Sequence, residues 1–277
     1  MLRGCKIAKI PIEEVKIKEV LKSEKELNNN ILRAFRVPDA LIHPPKLFEL
    51  LSKDFRAYGG KILTNHQVIS IKKNNDSVSA VVVSNNSIKS NIACDGIINA
   101  AGPWSNKVAK LINQNVELQL TRGCGIFFSG QLVSQAINRC RIPSDNDIMC
   151  PSEKESLWGT TSNIVYDPDS AKTTSDEIQE LLSGAEELFP NINNYKSYRT
   201  WSGIRPLIKP KKINKNLPLS RCHKVIDHEG EGLKNFLTIC GGALTTHRSM
   251  AEDVVNKLGN KFDLNIPCSS HATPLIK

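Results

Sequence analysis

An apolar strand that ends in small residues and runs directly into a helix is written twice into this chain. Ile97–Gly102 reads IINAAG and is followed by Pro103. Leu237–Gly242 reads LTICGG and is followed by Thr245-Thr246. Small residues let a ligand approach the backbone closely. The helix start that follows offers unpaired N–H groups and the positive end of a dipole. Such a place suits a phosphate, or a ring that gains negative charge on reduction. Tight strand–helix packing produces the same pattern, so one copy is weak; two copies favour a ligand.

The rest of the chain mixes strands and helices, which predicts a mixed α/β (α+β) fold. A short charged helix is expected over 11–21, opened by Pro11, then loop and short strand over 22–44. A helix follows from Pro45, with Leu47, Leu50, Leu51 and Phe55 as its apolar face and Gly59-Gly60 as its end. KILTNHQVISIKK, SVSAVVVS and IKSNIA, separated by NND and NNS, read as an antiparallel meander. CGIFFSG and SLWGTTSNIVY are strand-like. Thr174 and Glu177 form a capping-box pattern before the stripe Ile178, Leu181, Leu182, Ala185, Leu188 and Phe189, which Pro190 stops. Thr245-Thr246 are expected to cap a last helix carrying Met250, Val254, Val255 and Leu258 and ended by Gly259.

Composition narrows the function classes. The 277 residues carry 37 Lys and Arg against 28 Asp and Glu, a net charge of +9. Part of that charge is concentrated in Arg205, Lys209, Lys211, Lys212, Lys215, Arg221 and Lys224, read as a solvated basic loop. Aromatic residues make up only 5% and no nucleic-acid motif is present, so no nucleic-acid partner is expected. No apolar run approaches ~18 residues, so no transmembrane helix is expected. The eight cysteines include no C-x-x-C pair and no zinc spacing, which predicts no metal site and idle thiols in a reducing compartment. A signal peptide is not expected, because Lys6, Lys9 and Pro11 interrupt the start.

Two further residues stand out. Arg205, with Gly203 two residues before it and Pro206 after it, can present a fixed fork to a carboxylate or phosphate, or serve as a surface arginine. His247 lies at the start of the last helix. No G-x-G-x-x-G occurs in the sequence, so the phosphate-binding turn of a dinucleotide fold is not encoded in these residues.

Several stretches together carry a resemblance. Asp95–Ser105 (DGIINAAGPWS), Trp201–Leu207 (WSGIRPL) and Thr238–Asp253 (TICGGALTTHRSMAED) resemble motifs of the D-amino-acid oxidase-like FAD superfamily, which includes glycerol-3-phosphate dehydrogenases. Ala136–Ile148 (AINRCRIPSDNDI) and Leu157–Ser162 (LWGTTS) resemble the A-subunit type of the anaerobic glycerol-3-phosphate dehydrogenases. Val37-Pro38-Asp39 and the Gly60–Ile71 strand also fit, so the resemblance covers nearly the whole chain.

That resemblance implies a partial FAD/NAD(P)-binding domain interleaved with a mixed or antiparallel-sheet substrate domain. The implied division is 1–44 substrate domain, 45–113 FAD-binding domain with the meander, 114–235 substrate domain, 236–260 return to the FAD-binding domain and 261–277 tail. By resemblance, Val68 contacts the adenine side of FAD through its backbone. Ala100, Ala101 and Gly102 pass close to the cofactor, and Gly241, Gly242, Leu244, Thr245 and Thr246 wrap its flavin end. Arg205 and His247 bind substrate, Arg205 holding the phosphate of glycerol 3-phosphate. The implied reaction is FAD-dependent oxidation of sn-glycerol 3-phosphate to dihydroxyacetone phosphate, with electrons passed through partner subunits to a quinone. The implied location is cytoplasmic, peripheral at the inner face of the cell membrane through those partners.

The sequence departs from the family in four ways. The family's opening G-x-G-x-x-G strand and helix and the arginine segment after them are missing, so the chain is expected to be a partial version that does not hold FAD tightly alone. Ala243 stands where the family has lysine, and His247 where it has tyrosine. The cysteine-rich iron–sulfur module found in some members of the A-subunit type is not found before Lys277. Two alternatives therefore stand beside the first reading: a hydroxy- or amino-acid oxidoreductase of the same superfamily, and a non-catalytic remnant or accessory subunit.

Overall fold

The computed structural model describes residues 2–140, 145–210 and 220–276. Lys211, Lys212 and Lys215 of the basic stretch, and residues 141–144 within Ala136–Ile148, lie outside the described residues.

The chain opens with α1 (Leu2–Ile7), β1 (Glu13–Val15), α2 (Ile17–Ser23) and β2 (Ala34–Arg36). The helix expected over 11–21 is thus divided. Glu13–Val15 is taken by antiparallel pairing with β2, reinforced by the Arg33 guanidinium donating to both Glu14 oxygens, at 2.8 and 2.7 Å. Next comes α3 (Pro44–Ala57), with Pro44 and Pro45 in the first turn, where a missing N–H costs nothing. No residue of α3 is fully buried: Leu47, Leu50 and Leu51 of its expected apolar face are half-buried and Phe55 is exposed.

The meander follows as β3 (Gln67–Asn74), β4 (Ser77–Asn85) and β5 (Ile88–Ala93), turning at Asn75 and Asn86-Ser87 in left-handed conformations. β6 (Ile97–Asn99) leads through a 3-10 turn at Gly102–Trp104 into α4 (Ser105–Lys110). Then come β7 (Leu118–Ser129), β8 (Ile137–Asn138), β9 (Ile148–Ser152), β10 (Glu155–Gly159) and β11 (Asn163–Val165). After these, α5 (Ser175–Leu188) is followed by β12 (Ser197–Ile208), β13 (His223–Asp227), β14 (Phe236–Gly241) and α6 (His247–Asn260).

The elements divide into two compact units. One comprises residues 1–41 and 121–204, the other 42–120 and 205–277; the boundary falls inside β7 and β12. The first unit is built on the sheet β11-β7-β10-β9-β8, with β12 also on β7. Alternate residues of β7, Cys124, Ile126 and Phe128, point into its core beside Met149 and Trp158, as period-two geometry requires. Leu181 and Ala185 of α5 cover them. The capping box forms as expected: Glu177 N–H donates to Thr174 Oγ1 and Thr174 N–H to Glu177 Oε2. The second unit holds the meander and the sheet β13-β14-β6 around Ile71, Val78, Ile112, Leu233 and Phe236. Helices, an antiparallel meander and a parallel strand pair make the fold mixed α/β.

Candidate flavin site

The two small-residue stretches are neighbours in space. β6 and β14 pair in parallel, with Ile97 opposite Phe236, Ile98 opposite Leu237 and Asn99 opposite Thr238. Ala100-Ala101-Gly102 and Gly241-Gly242 therefore leave the sheet side by side at its carboxyl edge. In open α/β sheets that edge is where ligands bind.

Glycine is required at this edge for different reasons at different positions. Gly241 and Gly242 are consecutive left-handed residues, at φ 75° and 74°. A Cβ on Gly241 would run into the Cys222 carbonyl oxygen, and one on Gly242 into the Met250 sulfur. Gly102, at φ 54°, has no atom within 4 Å of where a Cβ would sit. Ala100, Thr245 and Thr246 are exposed. The edge thus presents open backbone, and open space beside Gly102 that a side chain would fill; these residues fit a flat, phosphate-linked group such as FAD.

The turn after β14 differs from the expected cap. Leu244–Thr246 form a 3-10 turn, and α6 starts at His247. The Thr246 hydroxyl accepts from the Ala243 N–H at 3.1 Å and donates to the Ala243 carbonyl at 3.0 Å, so it pins the turn and does not cap α6. His247 Nδ1 donates to the Leu244 carbonyl at 2.7 Å. A ring protonated at Nδ1 leaves Nε2 with its lone pair.

The other candidates lie on other strands. Val68 is on β3, opposite Val83, in a different sheet. Its side chain packs on the cluster containing Phe236, with Ile97, the residues that begin β14 and β6. Arg205 is half-buried on β12 and already has an interaction partner. Sequence reasoning passed over Asn99, Thr238 and His228, all buried and linked by hydrogen bonds across β6 and β14. The available signal was a polar residue inside each of two otherwise apolar strands. Among the described residues no cluster of His, Cys, Asp or Glu could hold a metal ion, and no helix is long and apolar enough to cross a membrane.

A mixed α/β chain whose paired parallel strands open their backbone at the carboxyl edge has the architecture of a nucleotide-binding protein. Residues 5–256 match the DAO family, FAD dependent oxidoreductase, and the chain belongs to that family. FAD is the cofactor of its enzymes. The chain is 31% identical over 274 residues to the A subunit of the anaerobic glycerol-3-phosphate dehydrogenase of Escherichia coli (strain K12), covering 97% of this chain and 51% of that protein. The A1 subunit of the anaerobic glycerol-3-phosphate dehydrogenase of Haloferax volcanii is 27% identical over 288 residues, covering 99% and 49%. The chain thus spans about half the length of the curated relatives it matches. The fold is shared with a glycerol-3-phosphate dehydrogenase from Bacillus halodurans complexed with FAD, at TM-score 0.75 and 22% identity, over 96% of this chain and 55% of that one.

Proposed function

We propose that this chain contributes flavin- and substrate-binding surfaces to an FAD-dependent oxidoreductase that converts sn-glycerol 3-phosphate to dihydroxyacetone phosphate. The observation that carries the reading is the parallel pairing of β6 with β14, which sets Ala100-Ala101-Gly102 beside Gly241-Gly242. The substrate class is supported by the likeness to the A subunits of anaerobic glycerol-3-phosphate dehydrogenases over almost all of the chain.

Ala100, Ala101, Gly102, Gly241, Gly242, Leu244, Thr245 and Thr246 are the residues that would hold FAD, with the backbone of Val68 toward its adenine side. FAD, when bound, supplies the hydride acceptor. The amino end of α6 offers partial positive charge to the flavin end, the electrostatic logic of an oxyanion hole. Arg205 pairs with the substrate phosphate, and His247 Nε2 accepts the proton of the substrate hydroxyl. Electrons then leave through partner subunits to a quinone, at the inner face of the membrane. Ala243 favours the second reading, a hydroxy- or amino-acid oxidoreductase in which Arg205 grips a carboxylate.

Titrating the chain with FAD and following flavin fluorescence tests the cofactor reading: with no G-x-G-x-x-G among these residues, weak but saturable quenching is expected, and none would overturn it. Anaerobic addition of substrates to the FAD-loaded protein separates the two substrate readings. Bleaching by glycerol 3-phosphate supports the first; bleaching only by hydroxy or amino acids supports the second.

A further inference from the structure

We propose that Glu231, His228, Thr238 and Asn99 form a buried hydrogen-bond chain that sets the path of the backbone after β6, and that they are positioning residues for the flavin edge. The flavin part of this proposal rests on the function proposed above.

Three of the four members are sealed from solvent. His228 and Thr238 are 0% exposed and Asn99 is 3% exposed, while Glu231 ends the chain at the surface with a half-exposed side chain. Asn99 and Thr238 stand opposite each other in the parallel pair, on the same face. Asn99 Nδ2 donates to Thr238 Oγ1 at 3.2 Å and to the Ser105 carbonyl at 2.8 Å. Its Oδ1 accepts the Ala101 N–H at 3.3 Å. One side chain thus ties the first residues after β6 to the start of α4. Thr238 Oγ1 lies 3.0 Å from His228 Nε2, and His228 Nδ1 lies 2.9 Å from Glu231 Oε2.

Only one assignment of protons satisfies every member with a neutral ring. The Asn99 amide nitrogen can only donate, so Thr238 Oγ1 accepts from it. The threonine hydroxyl hydrogen is then free to go to His228 Nε2. His228 carries its proton on Nδ1 and donates it to the Glu231 carboxylate, which can only accept. The chain is directional, from Asn99 through Thr238 and His228 to the carboxylate. Such a fully satisfied network fixes one geometry, whereas breaking it strands buried polar groups. Its fixed end is the Ala101 amide, inside the stretch that faces the cofactor.

Thr238→Val keeps the shape and removes the hydroxyl, leaving both Asn99 and His228 short of a partner; Thr238→Ser restores it. Hydrogen exchange at the Ala101 amide, measured without FAD, is expected to rise by about tenfold in Thr238→Val, the loss of about one hydrogen bond, and to return near wild type in Thr238→Ser. Exchange at Ile239 should change little. The affinity for FAD is expected to fall by a similar factor in the valine variant only. If Thr238→Val does not fold, Glu231→Ala, changed at the solvent end, carries the test and is expected to raise Ala101 exchange several-fold. Unchanged Ala101 exchange, or failure of serine to rescue, would overturn the positioning chain. Raised exchange with unchanged FAD affinity would overturn its role at the flavin edge. Failure of the wild-type chain to bind FAD would instead sink the cofactor reading, while the exchange measurement still decides whether the chain positions this turn.

Discussion

The Arg122 guanidinium meets the Glu177 carboxylate at two points: Nε donates to Oε1 at 3.1 Å and Nη2 lies 3.0 Å from Oε2. Burial alone pushes the Glu177 carboxyl up, but hydrogen bonds from Asn163, the Thr174 N–H and Arg122 outweigh it and bring it down to about 2. A carboxyl depressed on folding contributes stability above its ordinary value of 4.5, and that contribution is lost as pH falls from there toward 2. The difference corresponds to about 3 kcal/mol. Urea unfolding followed through that acid range should show this loss, and Glu177→Gln should flatten it.

At neutral pH, Glu177→Gln should be strongly destabilising. It leaves the Arg122 charge, only 16% exposed, without its counter-ion. Removing one partner of a buried pair costs about 3–5 kcal/mol. Thermal unfolding checks this, and a change below ~1 kcal/mol would show that Arg122 finds water or another acceptor.

The two glycines after β14 should not be equivalent. Gly242→Ala places its methyl against the flexible end of Met250, so backbone strain dominates, about 1 kcal/mol. Gly241→Ala drives it into the rigid Cys222 carbonyl and should cost about 2–3 kcal/mol more than that. Denaturation midpoints of the two variants decide the order.

The thiols should react in a defined sequence. Cys222 and Cys140 are exposed, whereas burial pushes the Cys124 and Cys240 thiols up and shuts them in. Mass mapping after brief alkylation should find label on Cys222 and Cys140 first, with Cys124 and Cys240 labelled only on unfolding.

Arg205→Ala should raise KM for glycerol 3-phosphate by about 10- to 100-fold in the flavin-loaded enzyme, the range expected for one charged hydrogen bond to a phosphate. Steady-state kinetics check it. An unchanged KM would remove Arg205 from the substrate site.

Local pattern made much of this molecule legible. The meander of β3, β4 and β5 follows from alternation broken by Asn75 and Asn86-Ser87, which tolerate left-handed backbone. The α5 cap follows from Thr174 and Glu177. β6 and β14 were recognisable as strands with open ends, but nothing local says that they pair, because pairing depends on residues far apart in the chain. The same limit hid Asn99, Thr238 and His228, whose polarity has meaning only once they meet. Misreadings arose where tertiary partners overrode local signals. Glu13–Val15 was drawn into a sheet by β2, and Thr246 turned its hydroxyl back to Ala243.

Asn99 and Thr238, hydrogen-bonded in neighbouring strands, are separated by 139 positions in the chain. Joining them closes a very long loop, a contact whose entropy is spent before it returns any stability. The β6–β14 edge therefore cannot be assembled until β14 has been made and has found its place. An intact edge then reports that two distant strands have met, and loss of β14 would remove the proposed flavin edge together with the Phe236 side chain that packs on Ile71 and Val78 of the meander.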